Sequence, residues 1–208
     1  MGGAVVPALT GRASMEPPVD MADFQVRPLD ETTWPDFAWL IEAHHGLRGG
    51  CWCMAFHAEG VERTSPAQNR SEKERRVRDG RAHAALVYDD PACVGWCQFG
   101  PTDEVPRIKN RRAYLEGLDA LPDWRITCFF VDRKYRRSGV AVAALEGALR
   151  EIARLGGGTV ESYPEDVAGR EVSGAFLNSG TVSMFERQGF ARTRRLGEHR
   201  WVVARVVP

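Results

Sequence analysis

No stretch of this sequence approaches the roughly 20 consecutive apolar residues that a membrane span needs. Its opening, MGGAVVPALTGRAS, has no basic region followed by a long apolar run. A membrane protein is therefore not expected, and the chain reads as cytoplasmic. Charge of one sign is lacking as well: Lys+Arg and Asp+Glu each total 28, so no global field draws the chain to nucleic acid or an anionic surface. The five cysteines are an odd number without a secretion signal, which argues for reduced thiols rather than a disulfide framework. There is no internal repeat and no G-x-x-x-x-G-K-S/T phosphate loop of the nucleotide-hydrolase type.

What is present suits one domain with a sizeable core: 208 residues, 43% hydrophobic and 27% charged. Residues 1–22, rich in Gly, Ala and Pro, read as a disordered tail or an over-long start, since Met15 and Met21 follow. The domain is expected over 23–208. FQVRPL from Phe24 reads as a short edge strand, and the next helix is expected to start at Asp30 as N-cap, with Trp34, Phe37, Leu40 and Ile41 on one face. AQNRSEKERRVRDG reads as a charged helix with a solvated face, in which Glu72 and Glu74 sit four residues before Arg76 and Arg78. Ala82–Tyr88 and Cys93–Gly100 flank Asp89-Asp90-Pro91 as a hairpin.

Residues 101–124, with three prolines and the cations Arg107, Lys109, Arg111 and Arg112, read as a loop with a short helix. That loop can wall an acceptor pocket, reach a ribose phosphate or simply be solvated. A buried strand over Arg125–Asp132 leads into a helix from Gly139 whose Ala141, Leu145, Ala148, Ile152 and Leu155 form one face. A strand over Thr159–Tyr163, a mobile loop over Pro164–Leu177, a short helix over Thr181–Gln188 and a last strand complete the order. The expected class is α/β (α+β): a mixed sheet flanked by helices.

The most informative stretch is VDRKYRRSGVAVAALEGAL. A strand there enters a cationic, glycine-containing turn that becomes a helix start, so several backbone N–H groups point outward at the positive end of a helix dipole. That geometry binds phosphate. Gly139 removes a side chain where an anion must approach the backbone, and Arg133, Lys134, Arg136 and Arg137 add charge.

The run Arg136-Arg137-Ser138-Gly139-Val140-Ala141 resembles the Q/R-x-x-G-x-G/A pyrophosphate-binding motif of the GNAT superfamily of acyl-CoA-dependent N-acyltransferases. Some 40 residues on, Asn178 with MFERQGF resembles that family's N-x-x-A-x-x-x-Y-x-x-x-G-F segment, with Asn178, Glu186, Gly189 and Phe190 at matching intervals. The resemblance implies a mostly antiparallel central sheet splayed between its fourth and fifth strands, with acetyl-CoA as donor. It implies that backbone groups of Phe129, Phe130 and Val131 pair with pantetheine. The amides of Arg137 to Ala141 would hold the pyrophosphate, and Asn178 would lie near the pantetheine. The expected partner is a small-molecule or peptide amine, with a homodimer left open and no nucleic acid or membrane involved.

Acyl transfer needs a neutral amine, reach to the thioester carbonyl, and a stabilised or protonated leaving thiolate. Phe185 stands where many relatives have the tyrosine that protonates the sulfur, and a phenyl ring has no proton to give. Ser183, Tyr163, Cys128 or a water are the candidates for that role. Arg125 stands where some relatives place a basic glutamate, so Glu161 and Asp123 are the candidate bases.

GGCWCMAFH offers Cys51, Cys53 and His57, yet C-x-C-x-x-x-H is no common zinc spacing and no metal is expected. Cys51 and Cys53 are expected to alternate about Trp52 on an extended segment. Trp52, Cys53 and His57 are candidate walls of the acceptor pocket. Besides an N-acetyltransferase, two other classes fit: a non-catalytic acyl-CoA-binding or sensor module, and a metal or redox protein built around Cys51 and Cys53.

Overall fold

The computed structural model describes residues 24–47, 49–62, 64–173 and 177–208; the segment 1–22 lies outside them. Seven strands form one sheet: β1 (Gln25–Pro28), β2 (His83–Asp89), β3 (Ala92–Pro101), β4 (Trp124–Val131), β5 (Gly158–Ser162), β6 (Ala191–Arg195) and β7 (Trp201–Val207). Their order is β1-β2-β3-β4-β5-β7-β6. Only β4 and β5 run parallel; every other neighbouring pair is antiparallel.

The helices are α1 (Trp34–Ala43), α2 (Pro66–Arg78), α3 (Arg111–Leu115), α4 (Val140–Arg154) and α5 (Val182–Arg187). On one face of the sheet, here the back, Val140, Ala144, Leu145, Ala148 and Ile152 of α4 pack on Ala85, Val87, Cys97, Phe99 and Ile126. The expected stripe of α4 therefore holds at its centre, while Leu155 lies beyond the last turn and is exposed. Phe185 of α5 joins the same core, edge-on to Phe129 and Phe190. On the front face, Phe37, Leu40 and Ile41 of α1 cover Leu86, Tyr88 and Trp96.

Several expectations are corrected. Helix α1 starts at Trp34 with Thr33 as N-cap, because the Asp30 carboxylate accepts from the Thr32 and Thr33 amides and closes its own turn first. The Cys51–Cys53 segment is not extended: Trp52 and Cys53 have φ of 49° and 55°, left-handed values that turn the chain into a 3₁₀ turn over Met54–Phe56. Helix α2 begins in a capping box between Ser65 and Gln68 and carries the expected Glu72–Arg76 and Glu74–Arg78 pairs. It is nevertheless not a solvated rod, since Asn69, Lys73 and Arg76 are buried with Val77.

Strand β6, ARTRR, escaped the sequence reading, because an exposed edge strand needs no apolar alternation and is commonly charged. The loop expected to be mobile is tied down at its start, where Glu165 bridges to Thr181 and pairs with Arg200.

Candidate active site at the parting of two strands

β4 and β5 pair only from Trp124↔Val160 to Ile126↔Ser162. At the fork the Ser162 hydroxyl donates to the Ile126 carbonyl at 2.9 Å, and from there β4 runs on to Val131 without β5. A bulge marks the same place on the other edge: Gln98 faces Cys128 but Phe99 faces Ile126, so Thr127 is the extra residue.

Backbone direction beyond the fork follows from strand alternation. Asp132 donates its amide to Val94 of β3, and a Cβ on Gly95 would stand 2.7 Å from the Phe130 carbonyl. Phe130 therefore turns its backbone to β3, while Phe129 and Val131 turn theirs to the gap. Of these, the Phe129 amide is taken by the Asn178 carbonyl at 2.7 Å. The Phe129 carbonyl and both Val131 groups remain facing the gap, whereas all three residues had been expected to do so.

The gap ends at the turn before α4. Asp132 accepts from the Lys134 amide at 2.9 Å, Ser138 donates to the Tyr135 carbonyl at 2.6 Å, and the Tyr135 hydroxyl holds Asp89 at 2.8 Å. Arg137 has φ 67° and Gly139 φ 92°, and Gly139 as N-cap has no side chain to close over the first-turn N–H groups. Arg133, Lys134, Arg136 and Arg137 are exposed around it. The turn is thus a cradle of uncapped N–H groups ringed by cations, the kind of geometry that can receive an anion. Asn178 lies beside the same strand with a buried Oδ1 that has no partner among the described residues.

At the fork on the front face, Glu161 accepts from the hydroxyls of Tyr114 at 2.8 Å and Tyr163 at 3.2 Å. Burial, first of all, pushes the Tyr163 phenol well above its ordinary pKa, so it stays protonated. Arg125, register partner of Glu161, is 2% exposed and donates to the Val105 carbonyl and the Tyr114 hydroxyl. Tyr114 belongs to α3, so the 101–124 loop does wall this region. Sequence gave no sign of it, since one tyrosine in a proline-rich loop has no period to mark it. Asp123 accepts from the Thr159 amide at 2.7 Å and pins the start of β5. Ser183 is exposed on the first turn of α5, near the Thr181 hydroxyl at 3.3 Å.

The loop cations sit at the other end of β4 from the cradle, since residues 102–123 precede Trp124 while the cradle follows Val131. Arg107 pairs with Glu62 and Arg112 with Glu116. A surface groove beside α2, lined among others by Met54, Glu59, Gly60, Gln68 and Arg75, includes no residue of β4, β5 or α4.

Of the three candidate pocket walls, Cys53 touches β4, its sulfur 3.5 Å from that of Cys128. Trp52 packs on Trp34. His57 bonds the Glu104 carbonyl at 2.9 Å through Nδ1, and its Nε2 stands 3.2 Å from Lys73 Nζ. Burial and Lys73 push this imidazole down to about 2, so it is neutral. Lys73, 0% exposed, donates to Gln98 at 2.8 Å, and Gln98 in turn donates to Thr127 at the bulge. Among the described residues no cluster of three or more His, Cys, Asp or Glu is placed to hold a metal, and no helix is long and apolar enough to cross a membrane.

The profile of the acetyltransferase (GNAT) family matches residues 52–190. Solved structures share the fold at low identity. Mosquito arylalkylamine N-acetyltransferase like 5b is 12% identical over 88% of this chain and 99% of its own, with a TM-score of 0.52. The yncA protein of Salmonella typhimurium, solved with its cofactor acetyl-CoA, is 12% identical over 89% and 94%, with a TM-score of 0.51. A protein of Desulfovibrio desulfuricans assigned to the GNAT family is 12% identical over 89% and 99%, with a TM-score of 0.50. No curated protein matches the chain. With its parallel fork, its anion cradle and a family match over well more than half its length, this chain belongs to the GNAT family of acetyltransferases.

Proposed function

We propose that residues 23–208 act as one domain that moves an acetyl group from acetyl-CoA directly to a primary amine. The observation that carries this reading is the parting of β4 from β5 above the α4 cradle. One continuous path there offers strand backbone for an amide-bearing arm and free N–H groups for a diphosphate. The chain's own groups fit acetyl-CoA chemically. The Phe129 carbonyl and the Val131 amide and carbonyl are donors and acceptors for pantetheine. The N–H groups of Arg137, Gly139, Val140 and Ala141 suit the pyrophosphate, that of Ser138 being turned to the Tyr135 carbonyl at 3.4 Å, and the Asn178 Oδ1 suits an amide N–H.

In the reaction the amine nitrogen bonds to the thioester carbonyl carbon, the carbon–sulfur bond breaks, one proton leaves the nitrogen and the thiolate of coenzyme A takes one up. Glu161 is our candidate to receive the amine's proton, because its carboxylate lies on the front face at the fork. Tyr114 and Tyr163 position it. Tyr163 is a poor acid for the thiolate, with its phenol raised and already donating to Glu161. Ser183, Cys128 and solvent are the remaining donors for the sulfur, so most of the acceleration falls to positioning.

A second reading, a coenzyme-binding module without turnover, is favoured by one feature: Phe185 is fully buried among Phe129 and Phe190, where a catalytic tyrosine would be needed. Incubation with acetyl-CoA and a panel of amines, with release of free coenzyme A thiol as readout, separates the two. Acceptor-dependent release supports the transferase. Binding without release supports the module, and no binding sinks both.

A further inference from the structure

Cys128 lies on the front face of β4, one residue past the bulge, and is partly exposed. Cys53 is buried, and the left-handed turn at Trp52 and Cys53 aims its thiol across to β4. The two sulfurs stand 3.5 Å apart across 75 residues of chain, Cys53 donating to Cys128 while the Cys128 thiol donates to the Phe129 carbonyl at 3.9 Å. A disulfide needs about 2.05 Å between sulfurs, so closing the pair takes a shift of about 1.5 Å, within reach of side-chain rotation at a partly exposed cysteine.

The surroundings supply charge. Lys73 is wholly buried on neutral partners, the Gln98 carbonyl oxygen and the His57 ring, with no carboxylate beside it among the described residues. Lys73 reaches this pair through Gln98, the register partner of Cys128, and the cysteine sulfurs favour its charged form. Negative charge developing on the Cys128 sulfur therefore meets a thiol donor and a buried ammonium. Cys93 and Cys97 lack this arrangement, each buried against a backbone carbonyl of its own strand.

We propose that Cys53 and Cys128 form a redox modification site, in which a hydroperoxide converts the pair to a reversible disulfide joining the α1–α2 connection to β4. In the first step the Cys128 sulfur bonds to one peroxide oxygen and the O–O bond breaks. The departing oxygen takes the Cys128 thiol proton and leaves as water from hydrogen peroxide, or as the alcohol from an organic hydroperoxide, and Cys128 becomes a sulfenic acid. In the second, the Cys53 sulfur displaces that hydroxyl, giving the disulfide and water. Two thiols are thus oxidised by one hydroperoxide, and a low-molecular-weight dithiol restores them. The partly exposed cysteine is oxidised first and the buried one resolves it, the usual division in thiol sensors.

The experiment uses the full chain, treated with stoichiometric hydrogen peroxide, blocked with iodoacetamide, digested without reduction and mapped by mass spectrometry. The expected result is a Cys53–Cys128 linked peptide lacking two hydrogens, abolished by dithiothreitol and retained in Cys51→Ser. In Cys53→Ser, checked for folding by circular dichroism, dimedone should trap Cys128. A wild-type protein in which Cys128 proceeds to sulfinic acid with Cys53 still alkylatable, or in which the linkage joins Cys51, overturns the proposal. This outcome does not depend on acetyl transfer.

Discussion

The amide of Phe129 donates to the carbonyl of Asn178 at 2.7 Å, so the segment before α5 stitches itself to the strand from which β5 has parted. That bond closes one side of the gap and brings the orphaned Asn178 side chain alongside it. Replacing Asn178 with Ala keeps the backbone bond and removes the side-chain amide, Oδ1 with it. The KM for acetyl-CoA should rise about 5- to 20-fold, the loss of one hydrogen bond of about 1–2 kcal/mol, with kcat nearly unchanged. Steady-state kinetics at saturating amine measure this, and an unchanged KM would detach Asn178 from the coenzyme.

Saturating acetyl-CoA should raise the melting temperature, since a ligand at about 100 times its Kd adds about 2.7 kcal/mol to the folded state. Gly139→Ala should abolish most of that gain. At φ 92° a side chain is strained, which costs about 1–2 kcal/mol by itself, and its methyl group intrudes on the cradle. Thermal melts with and without coenzyme separate the two effects. A variant that still gains the full shift would place the diphosphate elsewhere.

Glu161→Gln should lower kcat/KM about 100-fold, the usual contribution of a positioned base. Tyr163→Phe, which deletes one donor to the same carboxylate, should cost less than about tenfold. The contrast carries the assignment. Equal losses in both variants, tracking their melting temperatures, would make the cluster structural.

Buried Lys73 gives stability a pH dependence of known sign. Burial pushes it down to about 8 from 10.5, so between those values the unfolded chain binds more protons and stability rises with pH. Below about 8 both states are protonated and the cost of the buried ammonium, about 3 kcal/mol, is fully present. Urea unfolding of the wild type and of Lys73→Met should therefore differ by about 2–3 kcal/mol more in the wild type's favour at about pH 10 than at about pH 7.5. His57 acts at the acid end. Its imidazole, pushed down to about 2 from 6.5, leaves the unfolded chain with the extra proton, so stability is lost as pH falls below about 6.5. A flat profile for His57→Gln against a falling one for the wild type would show it.

Much of this architecture is legible in one dimension. The hairpin about Asp90-Pro91, strand β4, the stripe of α4 and the short α5 all follow from period and punctuation, which are local properties of the chain. Helix α2 was legible as a helix but misread as a surface, although the signal was there. A helix with one large apolar residue must still bury a face, and the positions that share the face of Val77 are Asn69, Lys73 and Arg76. Strand β6 carried no such signal, because its pairing with β7 depends on backbone groups and not on side chains.

The turn before α4 is legible in the chain alone, since a strand, a glycine and a helix start lie within a few bonds of one another and their geometry is fixed locally. Only the tertiary structure decided the rest of the site. It joined Glu161 to Tyr114 across 47 residues and Cys53 to Cys128 across 75. It also turned Phe130 away from the gap and buried Lys73 beneath the bulge. Those contacts arise from strand register and from which face of the sheet each element covers, and no local pattern encodes either.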